Sequence, residues 1–198
     1  MNNQANDFLT IVSGLPRSGT SMMMRMLESG GLPVLIDEIR TADDDNPKGY
    51  YEFEAVKKTK QDASWLADSE AKAVKMVYRL LYDLPTDRSY RVLFMRRDLT
   101  EVLRSQQAML ERNGATDAIS DQQMEQLFRT ELDAFYAWET KQDAIQLIDV
   151  NYNQLLADPR SELETINDFL GGGLDVDAMR AVVDPSLYRN RGTQTAAT

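Results

Sequence analysis

Residues 8–13, Phe-Leu-Thr-Ile-Val-Ser, form an apolar, β-branched run that ends at Gly14, the pattern of a short strand. Residues 18–30 follow with methionines at helical spacing and stop at Gly30-Gly31, so the chain opens strand, loop, helix. Residues 32–36 read as a second short strand, and residues 41–49, with three aspartates and Asn46-Pro47, as an exposed loop. Residues 54–68 carry a helical pattern, 71–77 and 90–95 are strand-like, and 99–112 and 120–141 have helical composition and length. Residues 145–150 supply a further strand. Pro159 suits a helix's first turn, and Leu163, Ile166, Phe169 and Leu170 keep helical spacing until Gly171-Gly172-Gly173 stops it. A last short helix over 176–183 precedes a basic, irregular tail. Strands alternating with helices predict a three-layer α/β fold. Its central parallel β-sheet is flanked by helices, with ligand sites at the carboxyl ends of the strands.

Composition narrows the chemistry more than the fold. A length of 198 residues fits one domain over 1–198, with a substantial core. A formal net charge of −10 argues against nucleic acid or an anionic membrane surface as partner, so an anionic ligand needs a local basic pocket. With no cysteine and no histidine, thiolate sites and the commonest base and metal ligand are absent; a catalytic base must be a carboxylate, lysine or tyrosine. Residues 1–7 are polar, and no apolar run approaches the roughly 18 residues of a membrane span, so the expected location is cytoplasmic.

The sharpest feature is Gly14-Leu15-Pro16-Arg17-Ser18-Gly19-Thr20-Ser21, placed between a strand and a helix start. Glycines let the backbone wrap an anion, successive N–H groups point inward, and the helix dipole adds attraction for phosphate. This is a P-loop arrangement, but Thr20 stands where a nucleotide triphosphatase carries lysine, and the positive charge has moved to Arg17.

Pro16 to Ser21 match, position for position, the Pro-(Lys or Arg)-Ser-Gly-Thr-(Thr or Ser) loop of the sulfotransferase superfamily, which the chain resembles. The arginine form, followed by Arg25, is similar to tyrosylprotein sulfotransferases and bacterial relatives. The resemblance implies that Pro16, Arg17, Ser18, Gly19, Thr20 and Ser21 hold the 5′-phosphosulfate of 3′-phosphoadenosine 5′-phosphosulfate (PAPS), with no metal required. The superfamily's second signature, approximately Arg-Asp-Pro-x-(Asp or Glu)-Val-x-x-Ser, resembles Arg97 to Ser105, with Leu99 in the proline place. By that resemblance Arg97 and Ser105 grip the nucleotide's 3′-phosphate. An arginine at a strand end presents a planar fork, and a serine two helical turns on faces the same side. The tail's Arg189 and Arg191 resemble a basic segment that closes over the same phosphate. Tyr152-x-x-Leu155 and Phe169-Leu170-Gly171 look like a late superfamily pattern, assigned to packing.

Sulfuryl transfer to a hydroxyl acceptor needs charge stabilised on the leaving phosphate, a task that suits Arg17, and a base for the acceptor proton. Glu38, on a gapless continuation from Pro16 to the tyrosylprotein enzymes' glutamate, and Glu52, in an Asn-Pro-x-Gly-Tyr-x-Glu segment like that of bacterial relatives, are the candidates. Asp37 neighbours the first. Lys75, at the end of an apolar strand, is placed to assist at the transferred sulfate or to reach water. Trp65, Tyr78 and Tyr82 are candidates for an acceptor pocket, and Met22, Met23, Met24 and Met26 for core filling. Two other readings stay open: a triphosphatase or kinase with Asp149 as its magnesium carboxylate, and a non-catalytic nucleotide-binding protein.

Overall fold

The computed structural model describes residues 7–37, 49–112, 114 and 120–183. Strand β1 (Phe8–Gly14) is buried at every position, Thr10 and Ser13 included, as a central strand of a sheet covered on both faces must be. It pairs in parallel with β2 (Ala73–Lys75) on one side and β3 (Ser89–Arg96) on the other; β4 (Ile145–Asn151) completes a parallel sheet of order β2-β1-β3-β4.

Side chains alternate across β1. Phe8 and Val12 join Met23, Met24, Met26 and Leu27 of α1 (Thr20–Ser29), together with Leu155 of α4 (Tyr152–Ala157), Leu163 and Ile166 of α5 (Pro159–Phe169) and Met179 of α6 (Val176–Ala181). Leu9 and Ile11 face the opposite layer, formed by Val102 and Leu103 of α2 (Leu99–Arg112) and Phe128, Leu132 and Phe135 of α3 (Asp121–Glu139). The result is the expected three-layer α/β fold. Helix α3 starts on a capping box, Ser120 accepting from the Gln123 amide while the Gln123 side chain accepts from the Ser120 amide.

Register brings the functional ends together. Val12 lies opposite Lys75, Gly14 opposite Met95, and Arg96 opposite Asn151, so the loops after all four strands open on one edge of the sheet.

Three local expectations need correction. Residues 54–68 form two short 3-10 helices, Glu54–Lys58 and Ser64–Asp68, rather than one α-helix. Thr59 Oγ1 donates to the Val56 carbonyl (2.7 Å) and Asp62 accepts from the Ser64 amide (2.9 Å), local bonds that compete with helix continuation. The strand expected over 32–36 reduces to a bridge from Val34 to Ala73, because Pro33 has no amide to donate. The strand expected over 71–77 keeps only Ala73–Lys75, with Ala71 at φ 54°. Among the described residues no helix is long and apolar enough to cross a membrane.

Candidate functional site

At the edge where the strands end, the loop between β1 and α1 is built for close approach. A Cβ on Gly14 (φ 144°) would sit 2.7 Å from both the Met95 carbonyl and Ser18 Oγ. One on Gly19 (φ 100°) would overlap the Tyr152 ring. Arg17, between them, takes the left-handed conformation at φ 68°, uncommon for a residue with a side chain. Helix α1 follows the N-cap Gly19 with no side-chain cap and no acid in its first turn, so its dipole is not offset; the Met22 amide turns back to the Gly19 carbonyl at 3.1 Å, and the Thr20 and Ser21 amides ahead of it keep their donor capacity. Ser18 Oγ is buried without a hydrogen-bond partner among the described residues, as is Ser13 Oγ at the end of β1.

The second sequence motif meets the first. Arg17 Nε donates to Ser105 Oγ at 3.0 Å, and Arg97 Nη1 donates to the Arg17 carbonyl at 3.2 Å. These bonds join residues 80 and 88 positions apart. The Arg97 side chain is 8% exposed and pairs through Nε with Glu101 Oε2 at 2.9 Å; Glu101 is 3% exposed. A buried carboxylate needs such partners, and the other oxygen of Glu101 accepts from Asn153 Nδ2 at 3.2 Å. The Tyr152 ring lies under the Arg97 guanidinium, 4.6 Å from centroid to Cζ. Burial pushes the Tyr152 hydroxyl above its usual pKa, and Arg97 beside it works the other way.

A second basic group stands across the loop. Lys75, at the end of β2 with a side chain 14% exposed, does not reach out to water. Its Nζ donates to the Tyr50 carbonyl and lies 3.5 Å from Ser21 Oγ, which itself donates to the Tyr50 carbonyl at 3.1 Å. Glu52 stands 3.9 Å from Lys75 and 3.9 Å from Lys57. Its neighbour Asp37 donates its amide to the Glu52 carbonyl and accepts from the Glu54 amide. Arg17, Lys75 and Arg97 thus meet at one edge of a strongly acidic chain, Lys75 with Glu52 and Arg97 with Glu101 beside it.

Of the residues expected from sequence, the loop from Pro16 to Ser21, Arg97, Ser105, Lys75 and Glu52 converge here. Glu38, Arg189 and Arg191 lie outside the described residues. Tyr78 is buried with its hydroxyl on Glu131, and the Tyr82 ring lies tilted against Trp138 with centroids 4.4 Å apart, both against α3; Trp65 packs on Phe53 and donates to Thr59. Asp149 accepts from Tyr136 at 2.5 Å and pairs with Arg96 at 3.6 Å, on a strand separated from β1 by β3. Sequence reasoning missed Glu101, Tyr152 and Asn153. The signals were present: Glu101 lies one helical turn from Arg97, and Tyr152-Asn153 directly follows the carboxyl end of β4.

The model of a sulfotransferase family matches residues 37–176. That span includes Glu52, Lys75, Arg97 and Ser105 and leaves the phosphate loop outside. No curated protein matches the chain at a significant level. Among solved structures, the sulfotransferase domain of the Synechococcus PCC 7002 olefin synthase is similar at 15% identity and a TM-score of 0.52, over 96% of this chain and 86% of that one. The sulfotransferase domain from the curacin biosynthetic pathway gives 16% identity and a TM-score of 0.49, over 83% of this chain and 74% of that one.

Proposed function

Because this chain belongs to the sulfotransferase family, we propose that it transfers the sulfuryl group of PAPS to the hydroxyl of an acceptor. The observation that carries the reading is the junction of the two anion-binding elements, Arg17 with Ser105 and Arg97 with the Arg17 carbonyl. It puts a glycine-bounded loop, an uncapped helix start and two guanidinium groups at one place.

In this reading Arg17, Ser18, Gly19, Thr20 and Ser21 hold the 5′-phosphosulfate. The buried, unpartnered Ser18 hydroxyl and the open amides of α1 fit such a group. Arg97 and Ser105, with Arg189 and Arg191 of the tail, serve the 3′-phosphate. PAPS supplies an activated sulfuryl group: its sulfur–oxygen bond to phosphate breaks as a bond to the acceptor oxygen forms. Arg17 and Lys75 offset the charge left on the departing phosphate. The acceptor proton passes to a carboxylate, for which Glu52, beside Lys75, is the first candidate and Glu38 the second. The arginine in the loop likens it to the tyrosylprotein branch, so a tyrosine hydroxyl heads the panel of acceptors.

Calorimetric titration with adenosine 3′,5′-bisphosphate, the product nucleotide, tests the reading without a known acceptor. Micromolar binding, much weaker for magnesium-ATP and weakened in Arg17→Ala and Arg97→Ala, is the expected result. Absence of binding, or preference for magnesium-ATP, overturns it. With an acceptor in hand, Glu52→Gln separates a base from a bystander, and binding without turnover across the panel marks a non-catalytic protein.

A further inference from the structure

We propose that Tyr51 is a positioning residue for the sulfuryl end of the site. Anchored on Glu28 of α1, it holds the Tyr50 carbonyl on Lys75 and Ser21 and keeps Glu52 beside Lys75. The purpose of this anchor rests on the sulfotransferase reading; its existence does not.

Residues 50–52 are tied down one after another. The Tyr50 carbonyl accepts from Lys75 Nζ and, at 3.1 Å, from Ser21 Oγ. The Tyr51 hydroxyl donates to Glu28 Oε2 at 2.5 Å, and its ring packs against the apolar layer to which α1 belongs. The Glu52 carbonyl accepts from the Asp37 amide at 3.2 Å, while its carboxylate stands 3.9 Å from Lys75.

Tyr51 is the strained member of this set. Its backbone is left-handed at φ 52°, a region that a residue with a large side chain occupies only when its surroundings fix it there. The turn lets Tyr50 and Glu52 both meet Lys75 of β2 while Tyr51, between them, reaches α1. Ser21 and Glu28 lie two helical turns apart on one face of α1, so the segment grips that helix at its start and again farther along. Burial raises the Tyr51 phenol to about 12, with Glu28 adding to the rise and Arg25 opposing it, and the phenol therefore remains a proton donor to Glu28 at neutral pH. A lysine held by such partners loses less freedom on meeting a sulfuryl oxygen than one that samples its rotamers, and binds more tightly for it.

The test joins two readouts on the full chain carrying Tyr51→Phe, Glu28→Leu or Glu28→Gln. The first is brief acetylation with acetic anhydride followed by peptide mass mapping, with the exposed Lys60 and Lys141 as references. Loss of the phenol bond raises the share of molecules in which residues 50–52 lift from Lys75, and the labelling rate of Lys75 rises with it. Tyr51→Phe and Glu28→Leu are each expected to raise that rate roughly three- to tenfold, the range that the loss of one hydrogen bond allows. Glu28→Gln keeps a carbonyl oxygen for the phenol and is expected to stay near wild type. The second readout is calorimetry with PAPS and with adenosine 3′,5′-bisphosphate, which lacks the sulfuryl group. Tyr51→Phe is expected to weaken PAPS by a similar factor and to leave the bisphosphate unchanged, whereas a merely structural loss would not tell the two apart. Unchanged labelling of Lys75, an unchanged PAPS affinity, or equal weakening of both nucleotides overturns the inference and leaves the sulfotransferase reading standing. Wild-type protein that binds neither nucleotide overturns that reading and the purpose given to the anchor, and the labelling then shows or denies the anchor by itself.

Discussion

The buried pair between Arg97 and Glu101 makes an uneven demand on the fold. Glu101→Leu leaves a guanidinium that is 8% exposed without the carboxylate 2.9 Å from its Nε, and removes the carboxylate oxygen 3.2 Å from Asn153 Nδ2. Removing one partner of a buried pair costs about 3–5 kcal/mol, because the remaining charge loses its counter-charge in a place water reaches poorly. For a chain of this size each kcal/mol lowers the melting midpoint by about 2–4 °C, so a fall of roughly 6–20 °C is expected. Arg97→Met combined with Glu101→Leu removes both charges and is expected to recover most of the loss, since well-packed apolar replacements of buried pairs are often neutral. Urea denaturation with linear extrapolation, alongside thermal melting, measures both variants. A single variant within about 1 kcal/mol of wild type refutes the reasoning. So does a double variant whose loss is the sum of the two single losses.

Gly19→Ala places a methyl group on the Tyr152 ring in a left-handed backbone; a loss of about 2–3 kcal/mol in urea denaturation is expected, with nucleotide affinity lost alongside. Ser120→Ala removes the capping box of α3 and is expected to cost about 1 kcal/mol by the same method, leaving nucleotide titrations unchanged. Burial pushes the Tyr90 phenol up to about 12, with Arg88 opposing and Asp87 assisting more weakly. The unfolded chain therefore releases this proton first, and stability falls as pH rises from 10 to about 12. Tyr90→Phe is expected to flatten that part of the stability profile, and an unchanged slope would rule out Tyr90 as its source.

Where one physical pattern dominated, the sequence was readable. The buried β1 run, the turn at Gly14 and the methionines of α1 follow from burial; a strand end leading into a helix places Arg97 to Ser105, but their role was suggested by resemblance to a family signature. Residues 54–68 misled because their apolar spacing suits a helix, while Thr59 and Asp62 bond to nearby backbone and break it into two turns. The bonds that connect the candidate site were hidden for a different reason. Arg17 with Ser105, and Glu101 with Asn153, are pairings 88 and 52 positions apart, which no local periodicity records. Tyr152 reads as a packing residue and is one, yet what it packs against is Arg97 and the place of a Gly19 side chain.

The methionines behind the phosphate loop carry a liability of their own. Met23, Met24 and Met26 have no exposed surface, so peroxide reaches their sulfurs only when α1 lifts away from the sheet. Once oxidised, a polar sulfoxide does not fit back among Val12, Leu27 and Leu163. An opening of this layer that meets peroxide is thereby converted into damage at the helix that begins the anion site, damage that outlasts the opening until the sulfoxide is reduced. The thioether oxidation rate is a chemical clock for how often that layer breathes, and a methionine sulfoxide reductase would act on the opened chain rather than the closed one.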